Sequence, residues 1–118
     1  MRRLLYAGML LLTACSNVAD LRTRAPIANW VSTKPAQMVA DCIRGSWEDQ
    51  RIGLEANGAA LQSAGARFTV VSPPNGVPSE VADIEATSTG SKIAVYAQAA
   101  LDLGGRKSKR IDAAHKCT

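Results

Sequence analysis

The apolar run from Leu4 to Leu12 decides how much of this chain is available to fold. Arg2 and Arg3 come before it, and the small residues Thr13 and Ala14 come after it. The run is nine residues long, broken only by Gly8, too short for a helix across a hydrocarbon core of about 30 Å. A positive start, a short apolar middle and a small-residue end make up a secretory signal peptide. Residues 1–14 are therefore expected to be removed, and they contribute nothing to a core. Of the 118 residues, 104 remain, enough for one small domain. Past residue 14 the only aromatic side chains are Trp30, Trp47, Phe68 and Tyr96. The core must then be built mainly from Ala, Val, Ile and Leu, and a small core of that kind benefits from a staple. Losing Arg2 and Arg3 leaves 12 basic against 10 acidic residues, so the formal charge falls from +4 to +2. That balance does not point to nucleic acid.

The sequence Leu12-Thr13-Ala14-Cys15 resembles the lipobox of bacterial lipoproteins, and the resemblance covers residues 1–16. It implies that the thiol of Cys15 receives a diacylglyceryl group, that the signal is cut before Cys15, and that the new amino terminus is acylated. Two or more acyl chains hold a protein where one is marginal, at about 0.8 kcal/mol per buried CH₂. In that family a Ser after the cysteine, here Ser16, goes with transfer to the outer membrane, and an Asp with retention at the inner membrane. The implied place is the outer membrane, lipid-anchored on its periplasmic face, with surface display as the alternative. The competing reading is an ordinary signal peptide followed by a free Cys15.

Of the three cysteines, Cys42 and Cys117 are left once Cys15 carries lipid. An even remainder in an exported small domain reads as one disulfide, because the periplasm is oxidising. The alternative is two buried free thiols. Metal binding is not expected, because two distant cysteines and the single His115 form no compact ligand set.

Residues 15–33 read as the lipidated N-terminus and a flexible tether. They lack apolar periodicity and contain Pro26. The domain is expected over 34–118. Pro35 suits the first turn of a helix over about 35–48, capped by Ser32 or Thr33. Met38, Val39, Cys42 and Ile43 recur at helical spacing, with Trp47 extending the stripe if the helix passes Gly45. Arg51 to Leu54 reads as a possible short strand and Asn57-Gly58 as a turn, while Ala59 to Gly65 is ambiguous. Arg67 to Ser72 reads as a strand, and the proline-rich stretch from Pro73 to Pro78 is a break. Val81 to Thr87 and Lys92 to Ala99 read as a hairpin. Ile93, Val95, Ala97 and Ala99 face inward in the second strand, and Ile84 and Ala86 in the first. A last helix is expected over about 108–117, capped by Ser108, with Ile111, Ala114 and Cys117 on one side. The predicted fold is α+β: a small antiparallel sheet of three or four strands, packed against N- and C-terminal helices that the disulfide joins.

Candidate chemistry is sparse. His115 is the only histidine, with Asp112 one helical turn before it, and it reads as exposed and non-catalytic. Asp83 and Glu85 share one strand face and read as solvated, with Lys92 a partner across the hairpin. Thr89-Gly90-Ser91-Lys92 lacks the order of a phosphate loop and reads as a turn. Arg106, Lys107, Lys109, Arg110 and Lys116 form the one dense basic cluster, a candidate anion or partner patch on a helix. No catalytic, metal or cofactor residues are assigned.

The chain is accordingly expected to be a non-enzymatic envelope lipoprotein: a binding or scaffolding module. Its partners would be the membrane, through Cys15, and an unidentified envelope protein or glycan. The alternative is a periplasmic inhibitor or immunity lipoprotein that neutralises a lytic enzyme or toxin. A small hydrolase using Asp83, Glu85 or His115 is a third, weaker reading, and it would need a pocket of converging polar groups.

Overall fold

A computed structural model describes residues 17–52, 58–98 and 105–118. Its elements are α1 (Val18–Arg22), β1 (Ala28–Ser32), α2 (Ala36–Asp49), β2 (Ala60–Ala64), β3 (Arg67–Ser72), β4 (Glu80–Thr87), β5 (Gly90–Ala97) and α3 (Arg106–His115). The protein is α+β, as the sequence implied. Five strands form one antiparallel sheet in the order β1-β5-β4-β3-β2. Gly53 and Leu54 of the possible strand at 51–54, Asn57 of the expected turn, and Ala99 at the end of the expected hairpin lie outside the described residues. Arg51 and Ile52 are not in a strand.

The registers put two sets of side chains on opposite faces, because neighbours along a strand alternate. Trp30 pairs with Ile93 and Ala28 with Val95. Ile84 pairs with Ile93 and Ala82 with Val95, while Phe68 and Val70 sit opposite Ile84 and Ala82. This apolar face packs on α2 through Ala36, Val39, Ala40, Ile43 and Trp47, with Ala114 and Cys117 completing the core. The helix continues through Gly45, which brings Trp47 fully inside. Met38 turns out to solvent instead of joining the stripe. No side chain caps α2. The hydroxyl of Ser32 instead accepts from the Lys34 amide, and that of Ser91 donates to the Lys34 carbonyl. The chain is thus fixed before Pro35 by turn bonds and not by a helix cap.

The Cys42–Cys117 disulfide is formed, with Cα atoms 5.7 Å apart. It joins α2 to the turn after α3. Cys117 is buried and Cys42 lies at the exposed flank of its helix.

The segment expected to be a tether is not one from Asn17 onward. Asn17 caps α1 by accepting from the Asp20 amide, and β1 is the edge strand beside β5. A five-residue edge strand needs only one partner and shows only a short alternation, here with Trp30 towards the core. Leu21 of α1 is fully buried against Val71 and Val81, with Val18 and Tyr96 beside them, on the face opposite α2. Among the described residues, no helix is long and apolar enough to cross a membrane.

Candidate functional site

Among the described residues, two gatherings of polar side chains stand out. The first is buried beneath α3. Arg106, Arg110, Ala114 and Cys117 follow each other at spacings of four, four and three, and together they form the inward stripe of α3 and its end. The two arginines meet Glu80 on β4, which is itself buried. Arg106 donates to Glu80 through Nε and, at 2.9 Å, through Nη2. Arg110 Nε donates to Glu80 Oε1 at 3.2 Å. Arg110 also donates to the Trp47 carbonyl at 2.8 Å, to Gln50 Oε1 at 3.0 Å and to Ser72 Oγ at 2.6 Å. Its guanidinium lies 5.2 Å from the Trp47 ring centroid, and Trp47 Nε1 donates back to the Arg110 carbonyl at 3.1 Å. Burial lowers the Arg110 pKa from its ordinary value, an effect opposed by the Glu80 charge and reinforced by Arg106. The cluster holds α3 to the sheet.

This corrects the basic-patch expectation. Arg106 and Arg110 point inward to Glu80, so four neighbouring cations do not form one solvent-facing patch. Lys109 and Lys116 are exposed, and Lys107 is half-buried. The signal that could have separated them was the spacing shared with Ala114 and Cys117, which marks the inward face.

The second gathering lies on the sheet face opposite α2. Here α1 packs Leu21 on the part of the sheet around Val71 and Val81. Beside it runs an open groove of about 400 Å³, lined by residues that include Arg22, Arg67, Asp83, Glu85, Lys92 and Tyr96. Arg22 grips Asp83 with two bonds of 2.7 Å, from Nε to Oδ2 and from Nη2 to Oδ1. Arg22 Nη2 also donates to Thr69 Oγ1, and Thr69 Oγ1 donates to Asp83 Oδ1, both at 2.8 Å. The bond to Asp83 raises the Arg22 pKa above its ordinary value, against the opposing effect of burial. Asp83 is therefore not a solvated carboxylate as its strand position suggested, because α1 brings Arg22 over it. Lys92 reaches Glu85 at 3.3 Å across the hairpin, as expected. Arg67 stands opposite Glu85 in the register. The wall formed by β1 contributes Asn29 and Val31, the latter 75% exposed.

No family model, curated protein or solved structure matches the chain. Of the groove's two carboxylates, Asp83 is held by Arg22 and Thr69, while Glu85 is met by Lys92 at the surface. His115 is exposed on the other side of the sheet, its ring edge-on to Trp30 at 5.1 Å. Asp83, Glu85 and His115 are thus not brought together. Among the described residues, no group of three or more His, Cys, Asp or Glu side chains is placed to hold a metal ion. What the groove offers is paired charge, hydrogen-bonding groups and apolar walls at the surface, a surface suited to recognition.

Proposed function

We propose that the chain is a lipid-anchored, non-enzymatic binding module of the bacterial envelope, held at the outer membrane through Cys15 and engaging its partner with the open face of its sheet. The observation that carries this reading is the asymmetry of the two faces. One is closed by α2 and α3 and stapled by Cys42–Cys117, while the other leaves a groove of about 400 Å³ with its polar floor fixed by Arg22, Asp83 and Thr69. A rigid sheet presenting pre-set side chains binds at low ordering cost. The mixed walls of Arg67, Lys92, Tyr96 and Val31 suit an extended protein segment or a glycan, which combine polar groups with apolar surface.

Two variants test it. Cys15→Ala should leave the membrane fraction or remain unprocessed. A protein carrying both Arg67→Glu and Val31→Asp should stay folded and anchored, yet lose the stoichiometric partner that the wild type recovers from solubilised envelopes. Recovery of no partner, or equal recovery by the groove variant, contradicts the reading. A lytic enzyme or toxin as the recovered partner makes the module an inhibitor.

A further inference from the structure

The reading of Cys15 as the lipid-bearing residue has a geometric consequence for a second surface. Asn17 and Val18 line an apolar groove of about 400 Å³ with Val71, Pro74, Val77 and Pro78. We propose that this groove and the loop 73–78 seat the domain directly on the bilayer that holds the acyl chains of Cys15. The proposal rests on that lipidation.

Chain length limits where Cys15 can lie. Asn17 is the N-cap of α1 and is fixed to the domain by it, and Cys15 is two residues before it. Two residues reach at most about 7 Å even when fully extended. The acylated residue is therefore confined to the rim of this groove, and the domain cannot stand off from the membrane.

The chemistry of the surface agrees. Val77 is 48% exposed in the loop, and among the described residues no acidic side chain lines the groove. Three of the six loop residues, Pro73, Pro74 and Pro78, are prolines, which have no backbone N–H to be stranded when lipid displaces water. Arg24 lies at the same end. It donates to the Gln98 carbonyl, and Gln98 Nε2 donates to the Pro78 carbonyl at 3.4 Å. A guanidinium there lies near the level of head-group phosphates. The hairpin tip at Ser88-Thr89 is at the far end of β4, whose eight residues span about 26 Å.

The test uses the full chain, processed in its own membrane. Val77→Cys and Thr89→Cys are labelled separately with an environment-sensitive fluorophore and reconstituted with lipids brominated near the head group. With Cys42–Cys117 bonded and Cys15 acylated, each variant has one reactive thiol. The Val77 probe should lose at least half its emission to the brominated lipid, and the Thr89 probe should be unaffected. If the processed protein stays on the membrane and the Val77 probe is not quenched, the seating is overturned while the anchor stands. A Val77 probe shielded from water but unquenched assigns the groove to a segment of the chain or a second copy, and also overturns it. A wild-type protein that does not fractionate with membranes removes the anchor, and the seating with it.

Discussion

Glu80 is buried between two guanidinium groups, whereas Asp83, three residues along the same strand, meets a single partly exposed arginine. The difference has a measurable size. Removing one member of a buried charge cluster strands the others and costs about 3–5 kcal/mol. Losing a charged hydrogen-bond partner nearer the surface costs about 1–3 kcal/mol. Glu80→Ala should therefore lower the urea midpoint by clearly more than Asp83→Ala, with similar m-values. Equal losses would show that Arg106 and Arg110 find water when Glu80 is gone. This pairing was not legible in the sequence. Glu80 follows the proline-rich break and its partners lie 26 and 30 residues away, so a local count saw only a run of cations. Lys92 with Glu85 was legible, because a hairpin fixes its own cross-strand neighbours.

Two glycines give opposite expectations for the elements that contain them. Gly45 lies inside α2, and a Cβ there would meet nothing within 4 Å. Gly45→Ala should stabilise the protein by about 0.5–1 kcal/mol through helix propensity and a less disordered unfolded chain. Gly90 opens β5 at φ +152°, and a Cβ there would sit 2.1 Å from the Ser32 carbonyl oxygen. Gly90→Ala must push β1 and the hairpin apart, and should cost at least about 2 kcal/mol. Thermal unfolding of the two variants should move in opposite directions, and a neutral Gly90→Ala would contradict the close packing of β1 on β5. The helices 36–49 and 106–115 and the strands 67–72, 80–87 and 90–97 lie within a few residues of the sequence expectation. Their side chains repeat over several turns or pleats. The strands β1 and β2, each five residues long, were not legible, since an edge strand has too few inward positions to show a period.

For the whole molecule, the disulfide bridges residues 75 apart in sequence and ties α3 to α2 over a core with few aromatic rings. On the chain-entropy account, a loop of that length contributes about 4–5 kcal/mol. Reduction of the folded protein should lower the denaturation midpoint by an amount of that order, and full stability in the reduced state would show that the buried Glu80 cluster alone secures α3. The staple closes one sheet face, and the groove of Arg22, Arg67 and Lys92 on the other is the surface we propose for a partner. That arrangement works as proposed only if Cys15 is spent on lipid and Cys42 on Cys117. The intact mass of the protein extracted from membranes tests both at once. The predicted mass is that of the chain from Cys15 to Thr118, plus a thioether-linked diacylglyceryl group and an amide-linked acyl group, less one hydrogen at each attachment and two for the disulfide. A chain still carrying residues 1–14, or one beginning at Cys15 with a bare thiol, would contradict the account.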